Sequence, residues 1–168
     1  MNPVIVRNVR IGEGIPKICV PIVGATKEDI IQEAKSFETI PVDVVEWRAD
    51  WFEHVFDMEK VKDVLGELRA ALKDVPLLFT FRTSKEGGEK AIEPEAYAAL
   101  NKAAAETGCV DLVDVEAFTG DEVVREIIEA VHKAGVKVVG SNHDFHKTPA
   151  QEEIVGRLRK MQELGADI

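Results

Sequence analysis

Apolar positions along the chain change period repeatedly, and the changes divide it into short elements. Between Pro3 and Gly14, Val4 and Val6 alternate with polar neighbours, as do Val9 and Ile11 beyond Arg7-Asn8, which predicts a short hairpin. The run KICVPIVG, Lys17 to Gly24, is almost continuously apolar and of strand length. Thr26, with Asp29 three residues on, then opens an amphipathic stretch reaching about Phe37. The couplet repeats. VDVVEWRAD (Val42 to Asp50) precedes a helix begun by Asp57, whose Val61, Val64, Leu65, Leu68 and Leu72 follow a 3.6 period, and Pro76 ends the connection. LLFTFR (Leu77 to Arg82) is a third strand, followed by the polar loop TSKEGGEK and a helix from about Pro94, an N1-type proline, to Gly108. DLVDVE (Asp111 to Glu116) leads into a helix from Asp121 to Lys133, with Val124, Ile127, Ile128 and Val131 on one face. The fifth strand, VKVVGSNHDF, ends in polar residues. Thr148-Pro149 with Gln151 predicts the capped start of a last helix carrying Ile154, Leu158, Met161 and Leu164 and stopping at Gly165.

Five strand–helix couplets without hairpins inside them predict right-handed βαβ units, at the roughly 30-residue spacing of such units, and a parallel sheet. A doubly wound sheet would carry a glycine-rich phosphate loop after its first strand, and Val23-Gly24-Ala25-Thr26 is too thin for one. The other form is a (β/α)8 TIM barrel, which needs about 250 residues when complete. The expectation is therefore an α/β chain forming one domain over 1–168. It would be an incomplete barrel of about five βα units behind an N-terminal hairpin, with a sixth strand due after Gly165.

Composition narrows the function classes. A content of 45% hydrophobic residues in 168 can bury a sizeable core. With 31 acidic against 21 basic residues, the formal charge of -10 repels polyanions and anionic membrane surfaces, so neither nucleic acid nor membrane is an expected partner. Cys19 and Cys109 lie in or beside apolar runs that read as buried strands, and the start MNPVIVRNVR has no signal-peptide core or transmembrane length. A reduced, cytoplasmic protein is the reading.

The strand ends carry the candidate chemistry. Alternation puts Val42, Val44, Glu46 and Arg48 on one face of the second strand, Leu78, Thr80 and Arg82 on one face of the third, and Leu112, Asp114 and Glu116 on one face of the fourth. The fifth adds Ser141 and His143. Any one of these could be a surface ion pair or a helix cap. Four strands that gather charge at the same end point instead to a barrel's active-site end, because inward charges without partners or substrate cost several kcal/mol each. Histidine is the side chain whose ordinary pKa lies nearest neutrality, which makes His143 the first candidate for proton transfer.

At these residues the chain resembles the type I 3-dehydroquinate dehydratase family. KICVPIVG, VEWRAD, LLFTFR followed by EGGE, DLVDVE, and SNHDF followed by KTP carry the resemblance along the whole chain. It implies a TIM barrel and the dehydration of 3-dehydroquinate to 3-dehydroshikimate in the shikimate pathway of aromatic amino-acid biosynthesis. The reaction would run through a lysine imine, with no metal and no cofactor. By this resemblance His143 is the general acid/base, Glu86 orients it and adjusts its protonation, and Glu46, Arg48 and Arg82 hold the substrate's oxygens. An imine acidifies the neighbouring carbon, so the elimination needs one base of near-neutral pKa and charged groups to fix the substrate.

The resemblance also implies differences. The chain corresponds to the N-terminal two-thirds of the family, and the imine lysine is expected on a sixth strand beyond Ile168, leaving the isolated chain inactive. Pro21 stands where many members have a serine touching the substrate. Lys85 and Lys147 follow strands on the catalytic side and read as solvated loop lysines. A metal site at His143, Asp144 and His146 is the alternative chemistry, since imidazoles and a carboxylate suit zinc or iron. The alternative function is a non-catalytic half-barrel module. The first and fifth strands are expected to be open edges, so self-association, most simply as a homodimer, is the expected partnership.

Overall fold

The computed structural model describes residues 3–168. A hairpin of β1 (Val4–Val6) and β2 (Val9–Ile11) precedes a five-stranded parallel sheet of β3 (Cys19–Ile22), β4 (Val44–Arg48), β5 (Leu77–Thr80), β6 (Leu112–Glu116) and β7 (Lys137–Ser141). Helices α1 (Lys27–Ser36), α2 (Met58–Leu72), α3 (Pro94–Glu106), α4 (Asp121–Lys133) and α5 (Gln151–Leu164) follow the five sheet strands in turn. Each strand pairs with the one before it, in the order β3-β4-β5-β6-β7. A doubly wound sheet reverses its strand order and this one does not, so the winding is that of a TIM barrel.

The local signals act largely as read. Thr26 caps α1 by accepting from the N–H of Asp29, and Asp57 caps α2 by accepting from the N–H groups of Glu59 and Lys60. Pro94 occupies the first turn of α3. The start of α5 is different: its N-cap is Ala150, with no side-chain hydrogen bond, and the turn before it is held by Asp144, which accepts from the N–H groups of His146 and Lys147.

Alternation separates two cores. The outward residues of the sheet, among them Val45, Trp47, Leu77, Phe79, Val113 and Val138, are buried beneath the helices. The inward Val44, Leu78 and Leu112 form a smaller cluster with Val6 of the hairpin. The hairpin therefore plugs the N-terminal end of the half-barrel instead of covering a sheet edge. Arg7 anchors it by donating from Nε to Asp111 at 2.6 Å; Asp111 also accepts from Arg69 and from the N–H of Leu77.

Three expectations need correction. Cys19 is exposed and Cys109 only partly buried, because the inner face of β3 looks into the open side of the half-barrel and not into a packed core. Ile154 and Leu158 are exposed, and Met161 and Leu164 are the buried residues of α5, which packs chiefly on β7 and α4. The edge at β7 is already occupied. Gly140 N–H donates to the carbonyl of Ile168, while the N–H groups of Asp167 and Ile168 donate to the carbonyl of Val138, so residues 166–168 run beside β7. The edge at β3 has no such partner among the described residues.

Candidate active site

Above the apolar plug, the inward positions become polar layer by layer. Glu46, Thr80, Asp114 and Ser141 come first along their strands, and Arg48, Arg82, Glu116 and His143 follow two residues later. Of the residues singled out from sequence, His143, Glu86, Glu46, Arg48 and Arg82 all lie at this end, at or just past the C-terminal ends of β4, β5 and β7.

Glu86 arrives from the loop after β5, and its sequence explains how. Gly87 adopts φ of +85°, and a side chain there would place its Cβ 2.4 Å from the ring of Phe145. A Cβ on Gly88 would lie 1.9 Å from the carbonyl oxygen of Arg82. The two glycines let the loop fold back on β5, where Gly88 N–H donates to Thr83 at 2.8 Å. Gly88→Ala is expected to force the loop off Arg82 and destabilise the fold by about 1–3 kcal/mol, the range for overpacking. Urea unfolding checks it, and a change under a few tenths of a kcal/mol would show that the loop yields freely.

The carboxylate so delivered meets His143. Glu86 Oε2 accepts from Nδ1 of the ring at 2.9 Å and from the His143 backbone N–H at 2.8 Å, and Oε1 accepts from the Asn142 amide at 2.9 Å. Burial pushes the Glu86 carboxyl up, but these hydrogen bonds outweigh it and hold the group below the usual glutamate range. A carboxylate only accepts, so the bonded Nδ1 carries the proton and Nε2 is left to exchange one with a substrate. The ring of Phe145 lies nearly parallel to the imidazole at 6.4 Å.

Arg48 and Arg82 are held differently. Arg48 donates from Nε and Nη2 to the two oxygens of Asp50, each at 2.8 Å. Asp50 is fully buried and also accepts from the N–H of Glu89, while Lys90 donates to the carbonyls of Asp50 and Phe52. Arg82 is buried between Asp114 (3.7 Å) and Glu116 (3.3 Å); its Nε lacks hydrogen-bond geometry to either and has no partner among the described residues. Glu116 is fixed by the N–H and hydroxyl of Thr83, at 2.8 and 2.7 Å. Asp114 accepts from Ser141 Oγ at 2.8 Å. Burial pushes the Asp114 carboxyl up to about 6, against the pull of Arg82 and Ser141, and pushes Glu116 up as well.

Alternation had already placed Asp114, Glu116 and Ser141 among the polar strand ends. Asp50, Thr83, Asn142 and Lys90 are additional members, set beyond the strand ends: Asp50 in a short 3-10 turn, Thr83 and Lys90 in an isolated bridge, and Asn142 in a loop. Lys85 and Lys147 are exposed, and Pro21 stands on the open inner side of β3 beside Glu46. The described residues hold no cluster of three His, Cys, Asp or Glu groups able to bind a metal ion, which leaves His143, Asp144 and His146 without a ligand set. No helix among them is long and apolar enough to cross a membrane.

Comparison with known proteins bears on the same stretch. Residues 18–168 match the family model of Type I 3-dehydroquinase. The 3-dehydroquinate dehydratase of Clostridioides difficile (strain 630) is 58% identical over 163 residues, 97% of this chain and 64% of that protein. That of Listeria monocytogenes (serovar 1/2a) is 57% identical over 168 residues, all of this chain and 67% of that protein. Among solved structures, the type I 3-dehydroquinate dehydratase of Clostridium difficile with covalently modified comenic acid superposes with a TM-score of 0.97 at 57% identity, covering 99% of this chain and 66% of that one. The Enterococcus faecalis 3-dehydroquinate dehydratase gives 0.95 at 51% identity, covering 98% and 69%. The chain thus spans less than two-thirds of the length of the Clostridioides difficile relative.

Proposed function

The chain belongs to the type I 3-dehydroquinase family, and from that premise we propose that the protein it forms part of dehydrates 3-dehydroquinate to 3-dehydroshikimate, a hydro-lyase step of the cytoplasmic shikimate pathway. The observation that carries the reading is the His143–Glu86 pair, bonded through Nδ1 with the imidazole part-exposed, at the strand ends that also present Glu46, Arg48 and Arg82.

In this reading a lysine amine condenses with the substrate carbonyl, releasing water and forming an imine. His143 Nε2 removes a proton from the carbon next to it and the electrons move into the imine to give an enamine. The enamine electrons then expel the hydroxyl, which takes the proton from His143 and leaves as water, and a second water hydrolyses the conjugated imine to free 3-dehydroshikimate and the lysine. Glu86 keeps the imidazole in the productive tautomer and balances the imidazolium charge. Arg82, poorly satisfied by Glu116, and Arg48, braced by Asp50, are positioned to take the substrate's oxygens, with Glu46 accepting from a hydroxyl. We assign the amine, on the family resemblance, to a sixth strand, since Lys85 and Lys147 are exposed. Borohydride trapping tests both parts. The full-length protein incubated with 3-dehydroquinate and borohydride gains one reduced adduct, and residues 1–168 alone gain none and do not dehydrate the substrate. An adduct on Lys85 or Lys147 would overturn the assignment, and no adduct with no turnover in the full-length protein would overturn the function.

The polypeptide 1–168 is also expected to self-associate, most simply as a homodimer. The edge at β3 is unpaired among the described residues, and Cys19, Val44, Leu78, Val139 and Ile168 line an apolar groove of about 480 Å³ on the inner face. Light scattering across a dilution series checks this, and a single species near 18.5 kDa at every concentration would refute it.

A further inference from the structure

The His143–Glu86 pair does not stand alone. Oε1 of Glu86 accepts from the amide of Asn142, and the carbonyl Oδ1 of the same amide accepts from Arg157 Nη1 at 2.6 Å. Arg157 lies on α5 and is itself tied to Glu153 and set 3.7 Å from Asp144. A guanidinium only donates and a carboxylate only accepts, so an amide between them has one admissible orientation: Oδ1 towards Arg157, NH2 towards Glu86. Without Arg157 the amide could turn its oxygen to the carboxylate and repel it. With Arg157 in place, both oxygens of Glu86 are engaged, and the carboxylate cannot rotate away from Nδ1.

We propose that Asn142 and Arg157 are positioning residues for the proposed dehydration, forming a relay from α5 through the Asn142 amide to Glu86 that fixes the carboxylate against His143. The inference rests on the function proposed above, but its geometry does not. Glu86 is surrounded by the His143 ring, by Glu116 across the site, by Lys85 beside it in the loop and, through Asn142, by Arg157. Of these, Asn142 and Arg157 can be altered without touching a group that meets the substrate.

The test is a ¹³C-carboxyl NMR titration of Glu86 in the full-length protein, assigned with Glu86→Gln, beside kinetics with 3-dehydroquinate. Asn142→Leu removes a donor from the carboxylate. Its titration midpoint should rise by about one pH unit, the equivalent of one charge-assisted hydrogen bond. kcat should fall about 10–100-fold with KM nearly constant, the size seen when groups that orient metal-bound histidines are removed. Arg157→Met should move both in the same direction and Arg157→Lys, which still donates, should restore them. A merely structural role would lower the melting temperature and leave the Glu86 midpoint where it was. If Asn142→Leu fails to fold, Arg157→Met decides alone. An unmoved midpoint in a folded variant overturns the relay even if the wild type is active. A moved midpoint in a protein that does not dehydrate 3-dehydroquinate upholds the relay and overturns the substrate.

Discussion

Replacing His143 with alanine in the full-length protein is expected to lower kcat for 3-dehydroquinate dehydration by about 10²–10⁴, the usual contribution of a positioned general acid/base. The effect should fall on kcat and much less on KM, because the groups assigned to the substrate's oxygens, Glu46, Arg48 and Arg82, lie on other strands. The variant should also fold. His143 meets Glu86 twice, and the bond from its backbone N–H to Oε2 survives the loss of the ring. The imidazole is part-exposed, so its removal opens no sealed cavity. Single-turnover measurements that separate imine formation from proton abstraction would show where the loss lies, with abstraction slowed most. A drop of less than tenfold would return His143 to the role of a turn residue and leave the elimination without a base.

What the sequence disclosed depended on periodicity. Alternation along β4, β5, β6 and β7 assigned Glu46, Arg82, Glu116 and Ser141 to one side of the sheet, and that side is the barrel interior, because a strand's period is an intrinsic property of its backbone. Glu86 was reachable only by resemblance. It lies in a loop, and what aims it at His143 is the clearance at Gly88 beneath the Arg82 carbonyl and at Gly87 beside Phe145, a residue far away in sequence. Asp50 and Arg157 were hidden for other reasons: Asp50 is defined by its bonds to Arg48 and to the N–H of Glu89, and Arg157 lies in the middle of α5 and acts through Asn142, so neither has a distinguishing spacing. The misreading of α5 has another origin. Ile154 and Leu158 do mark an apolar face, but a helix buries that face only if a neighbour lies against it, and here only Met161 and Leu164 are covered.

The buried charges should also shape stability, and Arg82→Met is the substitution that exposes this. Arg82 is the cation between Asp114 and Glu116, all three nearly inaccessible to water. Methionine roughly fills the space and leaves two buried carboxylates without a counter-charge, a change that typically costs about 3–5 kcal/mol. The sign of its pH dependence follows from Asp114. Its carboxyl is raised to about 6 in the fold, above its ordinary value of about 3.9, so the folded state favours the protonated form and loses stability as pH climbs from about 4 to 6. Below about 6 the group is neutral with or without Arg82, and only the Glu116 part of the penalty remains. Above it the wild type levels off while the variant, deprived of the guanidinium, continues to lose about 1.4 kcal/mol per pH unit until its own, higher value is reached. Urea unfolding at pH 5.5 and pH 8 should therefore show a penalty that grows with pH, and adding Asp114→Asn to Arg82→Met should reduce the growth to the part that Glu116 contributes, because an amide has no proton to lose in this range. A penalty that is constant or shrinks with rising pH would mean that Arg82 balances some other group, and that the acidic layer of this half-barrel is not held together by its charge.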